Sequence, residues 1–234
     1  MMKLLRNIYI IGLGLYLKDN RTLILGDLHL GLEENLINQG DFLSKKNFIT
    51  IKKHLNYILS KTEIKTVIFN GDIKHEFGRI NLTEWDYCLG LIDMLKDKEM
   101  ILIKGNHDKM TSIIAKKRDL KVRDYYITNN VFVCHGDILF NNYYNSKTII
   151  IGHEHPAISL KEGPKSELFK CFLLGKFKNK NLIVIPSFSF VNIGSDILKY
   201  EKLSPYLQQN LDNFKIYITE NNEIYPFGKI NDLR

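Results

Sequence analysis

The sequence predicts a mixed α/β layer structure, two sheets with helices on their outer faces, and three observations predict it. The first half alternates short apolar strand segments with amphipathic helical ones. The second half is a run of strand segments. The chain, 234 residues and 44% hydrophobic, is long enough to bury a sizeable core. One compact domain over 1–234 is the expected organisation, since no linker, repeat or low-complexity tract divides it.

Taken in order, Asn7 to Leu17 is rich in Ile, Leu and Tyr, Lys18-Asp19-Asn20 breaks it, and an apolar run from Thr22 follows. This reads as a hairpin ending at Gly26. Between Ser44 and Ser60, Phe48, Ile51, Leu55, Ile58 and Leu59 recur at helical spacing, with Lys45, Lys46, Lys52 and Lys53 opposite, which makes an amphipathic helix. His54 lies on that helix and reads as structural. Thr66-Val67-Ile68-Phe69 is a short buried strand. A second helix follows, with Thr83 as N-cap and Trp85, Leu89, Ile92 and Leu95 as its core stripe. Ile101-Leu102-Ile103 is the next strand, and Thr111 to Lys117 a third helix. Strands are then expected over Val122–Ile127, Val131–Cys134, Thr148–Ile151, Phe169–Leu174 and Leu182–Ile185, with turns at Asn129-Asn130 and Asn179-Lys180-Asn181. Phe214–Thr219 and Glu223–Tyr225 form a last hairpin around Glu220-Asn221-Asn222.

Composition narrows the function classes. No apolar run reaches the roughly 18 residues of a membrane span, and the first residues lack a secretion signal, so a soluble, cytoplasmic protein is expected. Cys88, Cys134 and Cys171 are far apart in apolar segments, as suits reduced core thiols. A net charge of +7 would attract an anionic partner, although scattered lysines also simply solvate a surface.

The chemistry lies in where histidines and carboxylates fall. Gly26-Asp27-Leu28-His29, Gly71-Asp72, Gly105-Asn106-His107-Asp108, His135-Gly136-Asp137 and Gly152-His153-Glu154-His155 each follow an apolar strand segment. Their loops are therefore expected to converge on one rim of a sheet, with an adjacent glycine letting the backbone turn sharply. Five of the seven histidines lie in these motifs. Carboxylate, amide oxygen and neutral imidazole suit borderline divalent ions such as Mn²⁺, Fe²⁺ or Zn²⁺, and a thiolate zinc site is not expected. Two carboxylates, one asparagine and four histidines exceed the needs of one tetrahedral ion, but suffice for two ions sharing a carboxylate.

In that order the five motifs resemble the calcineurin-like metallophosphoesterase superfamily, whose pattern is D-x-H, G-D, G-N-H-[DE], H and G-H-x-H. The resemblance spans Leu23 to His155. It implies a four-layer αββα sandwich of two mixed sheets flanked by helices. It also implies that Asp27, His29 and His155 bind one ion, that Asn106, His135 and His153 bind the other, and that Asp72 bridges them. His107 matches the family's catalytic histidine, which stabilises the phosphate or protonates the leaving oxygen. Asp108 is expected either to hold that imidazole or merely to cap the following helix. Mn²⁺ is the expected ion, with Fe²⁺, Zn²⁺, Ni²⁺ and Co²⁺ as alternatives, and the implied activity is phosphoester hydrolysis by water activated between two cations.

His75, three residues after Asp72, resembles the second catalytic histidine of the DNA-repair nuclease branch that includes SbcD. The Asp-Arg pair of phosphoprotein phosphatases does not follow Asp72 within Ile73 to Phe77, and Arg79 comes late. The Gly26–Gly31 stretch and Ile185-Pro186-Ser187-Phe188 resemble small stand-alone archaeal and bacterial phosphoesterases related to that nuclease. The short spacing between His135 and His153 and the modest length after His155 leave little room for an extra DNA-binding domain. The expectation is thus a phosphodiesterase for nucleic acid or nucleotides. A phosphomonoesterase or protein phosphatase, and a non-catalytic scaffold of the same fold, are the alternatives; the complete donor set speaks against the scaffold.

Overall fold

In a computed structural model the chain is described at residues 1–41, 46–77, 80–108, 111–118 and 120–233. Ser44, Lys45 and Arg79, which the sequence reading used, lie outside the described residues. Strands β1 (Met2–Leu5), β2 (Ile8–Ile11), β3 (Gly14–Leu17) and β4 (Thr22–Gly26) form an antiparallel meander. The expected opening hairpin is therefore split. Its extra turn falls at Gly12, whose φ of 55° puts the backbone in the left-handed region that glycine tolerates best.

From β4 onward the first sheet is parallel. Helix α1 (Leu32–Asn38) and α2 (Asn47–Lys61) lead to β5 (Thr66–Asn70), α3 (Leu82–Met94) to β6 (Glu99–Ile103), and α4 (Thr111–Lys117) to β7 (Lys121–Arg123). The chain then crosses to the second sheet, in which β8 (Tyr125–Thr128) pairs antiparallel with β9 (Val131–Cys134). The single strand expected over Val122–Ile127 is in fact two strands in two sheets, broken at Asp124. The rest of that sheet is β10 (Thr148–Ile151), β11 (Pro156–Glu162), β12 (Lys165–Phe177), β13 (Lys180–Val184), β14 (Ser195–Asp196), β15 (Lys215–Glu220) and β16 (Glu223–Lys229), with β10 parallel to both β9 and β13. The turns Asn129-Asn130 and Asn221-Asn222 hold both residues at positive φ, the form that matches strand twist in two-residue hairpins.

Unbroken apolar strands follow from burial on both faces. Leu23, Leu25, Val67, Phe69 and Leu102 face the helices, packing on Ile51, Leu55, Ile58, Cys88, Leu91 and Ile114. Ile24, Ile68, Ile101 and Ile103 face inward against Val131, Val133, Ile150, Phe172 and Ile183 of the second sheet. The far face of that sheet, with Phe132, Ile149, Ile151 and Leu173, packs on Tyr143, Tyr206, Leu207, Leu211 and Phe214. Four layers result. Among the described residues, however, all α-helices sit on the first sheet, and the outer cover of the second consists of irregular chain and short 3-10 turns. The three cysteines are buried and free, as expected. Among the described residues no helix is long and apolar enough to cross a membrane.

Helix α3 corrects the expected cap. Asn81, not Thr83, is the N-cap: its side chain accepts from Glu84 N at 2.8 Å, and Glu84 Oε2 accepts from Asn81 N at 3.2 Å. The Asn-x-x-Glu spacing of a capping box was there to be read. The stripe facing the core is Cys88, Leu91, Ile92 and Leu95, while Trp85 and Leu89 are half-buried.

Candidate metal centre

The five motif loops do meet, although not on one sheet. β4, β5 and β6 deliver Asp27, His29, Asp72, Asn106 and His107 from the carboxyl edge of the first sheet, and β9 and β10 deliver His135, His153 and His155 from that of the second. The donors therefore face one another across the gap between sheets. Ile185-Pro186-Ser187-Phe188 ties the two edges together: Ile185 N donates to Ile151 O at 2.9 Å, and Phe188 N to Gly26 O at 2.8 Å.

Two donor groups form. In the first, Asp27 Oδ1 lies 3.2 Å from His155 Nε2, which lies 3.2 Å from His29 Nε2. In the second, His135 Nε2 is 3.4 Å from Asp72 Oδ2, 3.1 Å from Asn106 Oδ1 and 3.2 Å from His153 Nδ1. Asp72 Oδ2 is also 3.9 Å from His29 Nε2, so this carboxylate reaches both groups. These are the seven residues that the motif pattern singled out.

The donors fit divalent ions. Ligand atoms about 2.1 Å from one ion stand about 3.0 Å apart at right angles and about 3.4 Å apart in a tetrahedron; the contacts within each group fall in that range, and the 3.9 Å from Asp72 to His29 lies outside it. Two pairs of ring nitrogens also point at each other, where a single proton can serve only one member of each pair. Protonation reflects the same crowding. Burial opposes charge on Asp27, yet His155 and His135 hold its carboxyl below the ordinary value; at Asp72, too, burial is outweighed, by His135 and His29. Burial and His155 push His29 down to about 3. His135 goes the other way: burial resists, but Asp72 and Asp27 raise it to about 10. That proton is what a cation held there would displace.

The backbone is strained where the donors are. Asp27, His29, Asp72, His153 and His155 all have φ between 44° and 65°, a region costly for side chains of these types. Hydrogen bonds hold them there. Ser187 Oγ donates to Asp27 O at 2.6 Å, and His153 N donates to the Asp27 carboxylate at 3.1 Å. Glu154, between the two histidines, accepts from Leu203 N and Ser204 N at 3.0 Å, and Ser204 Oγ donates to Gly136 O at 2.6 Å. Sequence reasoning passed over Glu154 and Ser204, because the motif leaves that position open and the partners are remote in sequence.

The flanking glycines serve turn and space. Gly71, at φ 80°, is a sharp turn as expected, and a Cβ there would also stand 2.5 Å from Cγ of the His135 ring. Gly105 and Gly152 are demanded by space. A Cβ on Gly105 would stand 2.5 Å from Asp72 N and 2.9 Å from its Cγ, and one on Gly152 3.2 Å from Asp27 Cγ.

His107 sits at the edge of the donors, its Nε2 3.9 Å from Asp72 Oδ2 and its backbone N donating to Asp72 Oδ1 at 2.9 Å. Its Nδ1 meets the carbonyl of His75, so Nδ1 carries the proton and Nε2 faces the site. The His75 and His107 rings lie 5.5 Å apart, and burial together with His107 lowers the pKa of His75. Asp108 meets Thr111, the first residue of α4, and among the described contacts not the imidazole. Its carboxylate accepts from Gly105 N at 3.0 Å, Ile73 N at 3.2 Å and Thr111 Oγ1 at 2.8 Å, so it fastens the Asn106 loop to the Asp72 loop instead of touching the imidazole. Glu84 fastens the segment after Asp72 to α3, accepting from His75 N at 3.1 Å and Glu76 N at 2.6 Å.

The chain resembles known proteins in family and in fold. Residues 20–214 match the family described as calcineurin-like phosphoesterase. The nuclease MPE of Pseudomonas putida superposes with a TM-score of 0.67 at 17% identity, covering 94% of each chain. A Zn²⁺ complex of Vps29 from Entamoeba histolytica reaches 0.37 at 14% identity over 87% of this chain and 95% of its own. A predicted phosphoesterase from Streptococcus pneumoniae reaches 0.35 at 12% identity over 89% and 97%. No curated protein sequence matches the chain.

Proposed function

Since the chain belongs to the calcineurin-like phosphoesterase family and is a metal-dependent hydrolase of phosphoester bonds, we propose that it uses two divalent ions, Mn²⁺ foremost, to cleave phosphodiesters of nucleic acid or nucleotides. The observation that carries the reading is the pair of donor groups joined through Asp72, with His107 and His75 side by side at their edge. The nuclease activity named for the Pseudomonas putida protein supports the choice of substrate, although at 17% identity the likeness itself concerns the fold.

Asp27, His29 and His155 would hold one ion, Asn106, His135 and His153 the other, and Asp72 both. When bound, the ions supply Lewis-acid charge to the phosphoryl oxygens and an activated water as nucleophile. The chain's own residues do the rest. Because His75 O fixes Nδ1 of His107, Nε2 is the nitrogen that, in the imidazolium form, can donate to a phosphoryl oxygen or protonate the leaving oxygen. Asp108 and Glu84 keep the two loops that carry Asp72, His75 and His107 in register.

The test compares bis-p-nitrophenyl phosphate with p-nitrophenyl phosphate under Mn²⁺, then DNA. The diester is expected to be preferred. Asp72→Asn should abolish metal-dependent hydrolysis in a folded protein, and His107→Ala should retain metal but lose about 10²–10⁴-fold in turnover, the usual share of a general acid. Cleavage of monoesters alone, or full diester activity in either variant, refutes the reading.

A further inference from the structure

One ring beyond His107 lies a side chain that the hydrolytic centre does not use. Phe77 is 57% exposed, yet its ring is not loose on the surface: it sits 3.7 Å, centroid to centroid, from His107 at an interplanar angle of 34°. The chain leading into it is fastened. His75 N and Glu76 N donate to the buried Glu84 carboxylate, and the wholly buried Lys74 ammonium donates to Glu76 O. A single exposed aromatic is ordinary on a protein surface. This one is held in place beside the imidazole that faces the scissile phosphate.

We propose that Phe77 is a stacking platform for the nucleobase next to the scissile phosphate, and so selects base-bearing diesters over phosphodiesters without a base. The inference rests on the proposed phosphodiesterase reading and deepens it by naming what the substrate must carry. A flat apolar ring with an open surface suits any base without regard to sequence, because every base presents a π-face. The preference is therefore for the presence of a base, not its identity. A base already stacked in a duplex would have to leave its neighbours first, so an unpaired strand or a small nucleotide diester meets the platform more readily.

The test uses the full chain with Mn²⁺ and two single-diester substrates: the thymidine dinucleotide, and the same dimer with tetrahydrofuran in place of one nucleoside, made in both orientations. Stacking of one base on one ring should favour the dinucleotide about 5- to 150-fold in kcat/KM, chiefly through KM. Phe77→Ala should bring that ratio down towards one, and Phe77→Trp should restore it. If Phe77→Ala depresses both substrates equally, chiefly in kcat, the ring merely positions His107 and the inference is overturned. Equal wild-type kcat/KM on the dinucleotide and on both abasic dimers overturns it as well, while bis-p-nitrophenyl phosphate hydrolysis in the same sample leaves the phosphodiesterase reading standing. If the wild type hydrolyses no diester, both fall together.

Discussion

Replacing Gly105 with alanine tests whether the centre is set by space between loops and not only by its donors. The added carbon would lie 2.5 Å from Asp72 N, against the 3.4 Å at which ordinary contact begins, so the Asp72 loop or the Asn106 loop must retreat by about 0.9 Å. Neither retreats freely. The first is fastened by Ile73 N to Asp108, the second by Gly105 N to the same carboxylate, and Asp72 Oδ1 accepts from His107 N. The displacement therefore falls on the carboxylate that reaches both donor groups and on the histidine facing the substrate. Misplacement near 1 Å costs about 10²-fold in rate, and loss of support around metal ligands about 10- to 100-fold in affinity. Gly105→Ala is thus expected to lose about 10²-fold in kcat on bis-p-nitrophenyl phosphate, with weaker Mn²⁺ binding by calorimetry and a cooperative thermal transition retained. Activity and Mn²⁺ affinity both within threefold of wild type would show that the loops are not packed as described, and the spatial account of that glycine would fail.

Three further outcomes follow from the same geometry. Ser187→Ala removes the hydroxyl donating to the buried Asp27 carbonyl, so about 1–3 kcal/mol of stability and about 10-fold or more in Mn²⁺ affinity should be lost, read by urea denaturation and calorimetry; unchanged affinity would make the Ser187 segment a simple connector. Burial pushes the Lys170 ammonium down to about 7, Asp27 pulling the other way, so between about pH 7 and the model-compound value of 10.5 the unfolded chain holds a proton that the folded chain lacks. Stability from this group should then rise with pH across that window, and the stability difference between wild type and Lys170→Met should change with pH in metal-free protein; a pH-independent difference rules the shift out. Removing metal should lower stability by mass action, about 2.7 kcal/mol when free Mn²⁺ stood at a hundred times its dissociation constant, or about 5–10 °C in Tm for a chain of this size. A melting curve indifferent to chelator would mean that the donors hold no ion.

The sequence made the donors legible and their settings less so. Continuous apolar runs closed by glycine or a polar cluster placed β4, β5, β6, β9 and β10 closely, and helical spacing placed α4. Val122–Ile127 looked continuous, since nothing local marks a chain passing from one sheet to the next; only the pairing of β7 with β6 and of β8 with β9 does. The convergence of five loops was readable, but from a one-sheet argument the wrong geometry followed: β9 and β10 belong to the facing sheet. Thr83 is the expected cap, whereas the reciprocal Asn81–Glu84 bonds put the boundary two residues earlier. Asp108 is expected to hold the neighbouring imidazole or to cap the next helix, while in space its carboxylate accepts from Gly105, Ile73 and, at the start of α4, Thr111.

What one-dimensional reading misses here is support, and support is what makes the donors usable. Five of the seven proposed ligands sit at positive φ, each in a conformation costing of order 1–3 kcal/mol, and Asp27 and Asp72 are carboxylates with almost no access to water. A short motif cannot hold such a state by itself. The restoring contacts come from far along the chain: Ser187 on Asp27, Ser204 and Glu154 between the His135 and His153 loops, Glu84 and Asp108 on the segment after Asp72. Most of these partners arrive with the second sheet and its irregular cover. The residues beyond His155, which carry none of the proposed ligands, therefore support the site through Ser187 and Ser204. A chain cut after His155 would retain every proposed donor and lose those hydrogen bonds to the Asp27 and His135 loops.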